Sequence, residues 1–112
     1  MTTVTTTQAA PRTASTYYAA PVTGGTVTIP VFSGDRMVAF IDPAATLLAL
    51  MVVLPVASDG QVVEVMCSQI ITGLTLSSAG GSILGAVTTW AAVNGTLRYS
   101  WSANAGKWFK AF

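Results

Sequence analysis

Along the chain, apolar and polar positions alternate in short runs broken by turn chemistry, and no 3.6-residue apolar stripe is longer than two turns. After Thr23-Gly24-Gly25, "TVTIPVF" leads to Ser33-Gly34-Asp35, and "RMVAFI" leads to Asp42-Pro43. "TLLALMVVL" is apolar at both alternating sets of positions, as in a strand buried on two sides, and its β-branched Val52 and Val53 favour a strand over a short helix. "PVASDG" then turns the chain into "QVVEVMCS", where Val63, Val65 and Cys67 share one face and Val62, Glu64 and Met66 the other. "IITGLTL", "SSAGGS" and "ILGAV" follow. Strand-turn punctuation of this kind predicts an all-β fold, a small antiparallel sandwich or flattened barrel.

Two turns near the C-terminus predict pairings. Asn94 and Gly95 both tolerate positive φ, so they can join two strands through a two-residue loop. That register sets Trp90 opposite Tyr99, Ala92 opposite Leu97 and Thr88 opposite Trp101. A second turn at "ANAG" sets Trp101 opposite Trp108. One face of the resulting meander carries Trp90, Leu97, Tyr99, Trp101, Trp108 and Phe112, which are expected in the core or a trimer interface. Arg98, Ser100 and Ser102 point the other way.

Residues 1–21 have neither period. They are rich in Thr, Ser and Ala and carry Pro11 and Pro21, which predicts an extended N-terminal arm ahead of a single β domain over 22–112. Arg12, Tyr17 and Tyr18 are the residues with which such an arm would hold a partner, the tyrosines being amphipathic rings suited to interfaces.

Composition narrows the functional classes. Hydrophobic residues make up 52% of 112 positions and charged residues 8%, against roughly 25% in an ordinary soluble domain. A net charge of +1 offers no basic stripe for phosphates, so no nucleic-acid partner is expected. The longest apolar run, Ala44 to Ala57, falls short of the about 20 residues that span a bilayer and contains Pro55, so no membrane span is expected; nor does the N-terminus carry a signal-peptide core. One cysteine makes no internal disulfide. Little charge without a membrane segment points to apolar surface hidden against other chains.

Catalytic chemistry is sparse. The chain has no His, which removes Ser-His-Asp triads, His metal sites and the commonest general base. Cys67 lies in a β-run and is expected to be a buried, inert thiol. Asp35, Asp42 and Asp59 stand beside Gly or Pro in turns, where their side chains can accept from nearby backbone N–H groups. No enzymatic activity, metal or cofactor is expected. A platform of exposed rings for sugar stacking is the alternative to burial for the three tryptophans, and their alternation favours burial.

Over residues 41–112 several features come in a fixed order: a Pro-containing turn, a buried strand ending in Leu54-Pro55, "DGQ", "ITGLTLS", a Gly turn, and an "RYSW…KWF" close. In that order they resemble a β module of bacteriophage structural proteins, met in capsid decoration (cement) proteins and near the ends of tail fibres and spikes. The resemblance implies a trimeric, non-enzymatic virion component with the major capsid protein as partner, on the exterior of the capsid. The chain has no heptads and no repetitive shaft, which favours decoration over a fibre. A tail-tip module binding a receptor or glycan is the alternative.

Overall fold

The computed structural model of the chain describes residues 14–90 and 95–111. Nine strands and no helix lie among them: β1 (Ala14–Ala19), β2 (Gly25–Thr28), β3 (Arg36–Ile41), β4 (Leu50–Leu54), β5 (Val62–Cys67), β6 (Leu74–Ser78), β7 (Ser82–Leu84), β8 (Gly95–Ser102) and β9 (Lys107–Ala111).

The first six strands alternate between two sheets, and β7, β8 and β9 all join the one that holds β1, making it six-stranded. β1, β3 and β5 pair in parallel in one, and β2, β4 and β6 pair in parallel in the other. Ala14 pairs with Arg36 and Arg36 with Val62, while Gly25 pairs with Leu50 and Leu50 with Leu74. Each coil therefore takes roughly 22 to 26 residues, within the range of solenoid repeats. The arrangement is solenoid-like, and it replaces the antiparallel sandwich or flattened barrel expected above. Alternation of apolar and polar residues specifies a strand with one buried face. It does not specify strand direction, which the loops decide by carrying the chain from one sheet to the other.

The core lies between the two sheets. In-register neighbours stack along it: Met37 with Val63, Ala39 with Val65, Ile41 with Cys67, and across from them Leu50, Val52, Leu54 and Leu74. A single coil cannot bury these side chains alone; its neighbours do so. β4 differs from the expectation of two buried faces. Leu50, Val52 and Leu54 are buried, but Met51 faces outward and Leu48, just before the strand, is 72% exposed.

Residues 14–19, inside the stretch assigned to the arm, form β1 and pair along their whole length with β3. Tyr17 packs against the core and Tyr18 points outward. Residues 1–13, Arg12 included, lie outside the described residues.

At the other end the chain direction reverses. β8 runs antiparallel to β5 and to β9, and β7 pairs in parallel with β9. On the second sheet's side, Trp90 and Ile71 exchange two backbone hydrogen bonds, and the Leu74 amide donates to the Thr88 carbonyl. Thr88–Trp90 and β8 thus make a reversed layer over the third coil. This corrects the expected hairpin. Asn94 lies outside the described residues, but both edges of β8 are occupied: Tyr99 pairs with Val63 and Lys110 rather than Trp90, and Trp101 is flanked by Gln61 and Trp108 rather than Thr88.

Two turns match the pattern of the sequence. Gly60 takes φ 84° with the Gln61 amide donating to the Ser58 carbonyl, and Gly106 takes φ 66° with its amide donating to the Ser102 carbonyl. The Gln61 side chain, buried, ties two loops together: Nε2 donates to the carbonyls of Phe32 (3.0 Å) and Gly34 (2.6 Å), and Oε1 accepts from the Ser58 amide (2.8 Å).

Candidate functional site

The parallel register lines up outward-facing side chains from successive coils. Tyr18, Phe40 and Met66 form one row on the outer face of the six-stranded sheet. Two positions further along β3 and β5 the same face carries Asp42 and Ser68, just past the strand ends. These side chains, with the backbone of Ile41 and Cys67 beneath, line an open cleft of about 370 Å³. Tyr18 is 62% exposed and Phe40 40%, an uncommon degree of exposure for neighbouring rings on a sheet face.

Asp42 forms one end of the cleft. Its Oδ2 accepts from the Tyr18 hydroxyl (3.0 Å) and its Oδ1 from the Ser68 hydroxyl (2.7 Å). The Ser68 and Tyr18 hydrogen bonds together hold the Asp42 carboxyl below its ordinary range, because both favour the charged form. The same contact raises the Tyr18 phenol, since the hydrogen bond and the adjacent negative charge both oppose its ionisation. The backbone is satisfied as well: the Asp42 amide donates to the Ala19 carbonyl and the Ser68 amide to the Ile41 carbonyl.

On the next row of the same face, Glu64 is buried and sits between two half-exposed guanidinium groups. Arg98 donates from Nε to Glu64 Oε2 (2.7 Å), and Arg36 Nη1 lies 3.4 Å from Oε1. Cross-strand pairing of β5 with β8 sets Glu64 directly opposite Arg98, so the register makes the pair.

The terminal rings lie elsewhere. Tyr99 and Trp108 are fully buried, Trp90 is nearly so, and Leu97 and Trp101 are partly buried against the same core. Trp101 stands opposite Trp108 with ring centroids 5.4 Å apart, tilted by 59°. The Tyr99 hydroxyl donates to the Gly85 carbonyl (3.1 Å), and Trp108 Nε1 donates to Ser78 Oγ (3.1 Å). Phe112 lies outside the described residues. Trp101 and Trp108 therefore meet within one chain, and Trp90, Leu97 and Tyr99 belong to the same core, against which Tyr17 also packs while Tyr18 faces solvent.

Cys67 is buried, and burial pushes its thiol up, away from the nucleophilic thiolate. Asp59 accepts from the Ala103 amide (2.9 Å), bonding across to the β8–β9 turn rather than to its own. Among the described residues no three His, Cys, Asp or Glu side chains gather as a metal site, and no helix is long and apolar enough to cross a membrane.

Of the cleft residues, sequence reasoning singled out only Tyr18 as a contact residue. Phe40, Asp42, Met66 and Ser68 were missed because the signal uniting them is parallel register across about 50 residues, which no local spacing displays. No protein-family model, no curated protein and no solved structure matches the chain.

Proposed function

We propose that the chain is a non-enzymatic structural protein of a phage virion: a capsid decoration (cement) protein that forms homotrimers and bridges neighbouring major-capsid subunits from outside the shell. The observation that carries this reading is the amount of apolar surface a single chain leaves open while only 8% of its residues are charged. Tyr18, Phe40 and Phe109 are exposed on the outer face of the six-stranded sheet, and Val31, Leu48, Met51 and Val56 are exposed on or beside the other. Surface of this kind suits permanent association with other chains. The resemblance of residues 41–112 to phage structural modules supplies the setting. In it, many weak contacts on a fixed lattice add through multivalency, and the work done is mechanical.

A tail-fibre or spike tip module is the second reading, and one observation favours it: the cleft walled by Tyr18 and Phe40 opens to solvent. Quantitative protein profiling of purified virions separates the two. Decoration requires hundreds of copies per particle, a tail tip requires a handful, and absence from the particle refutes both. Light scattering of the purified protein tests the assembly, where a stable micromolar monomer would remove the trimer.

A further inference from the structure

The hydrogen-bond directions at the Tyr18–Phe40–Met66 cleft specify what it can accept. Tyr18 and Ser68 each spend their only hydroxyl proton on Asp42. What they turn toward the cleft is then lone pairs, as is the remaining capacity of the two carboxylate oxygens. The amides of Asp42 and Ser68 are consumed by the sheet. At this end the cleft therefore offers hydrogen-bond acceptors and a negative charge, and none of these groups has a donor left to offer. Among the described residues neither salt bridge involves Asp42; both engage Glu64. The side walls are two aromatic rings and a thioether, whose faces attract cations and accept aliphatic stems.

We propose that this cleft binds a basic side chain, the guanidinium or ammonium group of an arginine or lysine presented by a partner protein. Donor-rich charge at the tip meets acceptors and Asp42, and the methylene stem lies along Tyr18, Phe40 and Met66. A neutral sugar fits less well, because its hydroxyls need donors as well as acceptors. The inference does not rest on the phage assignment, since it concerns only the chemistry of the cleft, and it stands or falls separately.

The test is an NMR titration of the full chain with N-acetyl-argininamide, and in parallel with n-butylguanidinium, tetramethylammonium, n-butanol and glucose. Saturable shifts at the amides of residues 40–42 and 66–68 are expected with both guanidinium probes, with Kd around the millimolar range set by so few contact atoms. Tetramethylammonium, charged but without N–H donors, is expected at least about tenfold weaker, and butanol and glucose without saturation. Asp42→Asn should weaken N-acetyl-argininamide about tenfold or more, and Phe40→Ala several-fold, each with little change in melting because both side chains are exposed. Tighter binding of butylguanidinium than of the blocked arginine would reassign the site to a free small-molecule guanidinium and overturn the partner assignment. Equal binding of tetramethylammonium or preference for glucose would overturn the donor argument. Absence of saturable shifts, or unaltered affinity in Asp42→Asn, would overturn the site itself.

Discussion

Trp108→Ala is the most informative perturbation of the fold. The side chain is fully buried among Trp101, Tyr99 and the third coil, so truncation loses its transfer free energy and leaves a cavity, together about 3–5 kcal/mol. The lost Nε1–Ser78 hydrogen bond adds little to this. Ser78 Oγ keeps Gly80 as partner, accepting from its amide and donating to its carbonyl, so no orphaned group remains. A domain of this size holds about 5–15 kcal/mol in all, and each kcal/mol moves its melting midpoint by roughly 4 °C. A fall of about 12–20 °C is therefore expected. Trp101→Ala should cost about half as much, because that ring is only partly buried. Phe109→Ala, one residue along on the opposite face and 41% exposed, should cost under about 1 kcal/mol in a dilute, unassembled chain. Urea and thermal unfolding of the three variants at low protein concentration measure this ordering. A Trp108→Ala protein that melts within about 2 °C of the parent, or a costlier Phe109→Ala, would refute the face assignment of β9.

Gly81→Ala should prevent folding or lower melting by more than about 10 °C: Gly81 has φ 81°, and an added methyl would collide with the Gly106 carbonyl and the Trp101 ring, as thermal unfolding would register. Gln61→Ala should cost about 1–3 kcal/mol by urea denaturation, since it strips a buried partner from the Phe32 and Gly34 carbonyls and the Ser58 amide. Deleting residues 1–19 should destabilise the body and promote aggregation in light scattering, because it removes β1 and bares the edge of β3. The Asp42 contribution to stability, small because the side chain is exposed, is present above the unfolded carboxyl value and should fade as pH falls through the lowered folded value; an acid titration comparing parent with Asp42→Asn should show their small difference closing below that point.

How much of this fold the sequence displays depends on whether the determinant is local. The inward set Val63, Val65 and Cys67, the turns at Gly60 and Gly106, and the Trp101–Trp108 pair all follow from alternation or from glycine's freedom at positive φ. The coil repeat does not, because its spacing varies between coils and between sheets and the inward side chains differ at each level: Tyr17, Ala39 and Val65 occupy one position. Asn94-Gly95 carries a strong local hairpin signal, yet the pairing over Trp90 and Tyr99 yields to tertiary structure. β5 and β9 together satisfy both edges of β8, and Ile71 satisfies Trp90. The cleft is hidden for the same reason as the repeat. Tyr18, Phe40 and Met66 become neighbours only once three coils stack in parallel.

The stack also accounts for the band of rings near the C-terminus. A coil in the middle of a solenoid is covered on both sides by copies of its own pattern, and the terminal coil needs another cover. Here the third coil, β5 and β6, is followed by chain that runs the other way, Thr88–Trp90 over Ile71–Leu74 and β8 over β5. A reversed layer has no further coil to supply inward side chains, so each of its own must reach further. Trp90, Tyr99 and Trp108 do so, and their polar atoms need partners at the same time. Tyr99 finds the Gly85 carbonyl and Trp108 finds Ser78, both in the segment from β6 through β7 that folds over this end. Aromatic bulk with a polar tip closes the core where smaller aliphatic residues in the coils suffice, and it does so without adding charge. At the opposite end β1 and β2 are the outermost described strands. Outward from β1 the first exposed ring is Tyr18, beside the cleft. Trp90, Tyr99 and Trp108 thus close the core at the reversed layer's end, with Phe109 left exposed on the outer face, whereas at the first coils Tyr17 packs inward and Tyr18 and Phe40 stand exposed beside the cleft.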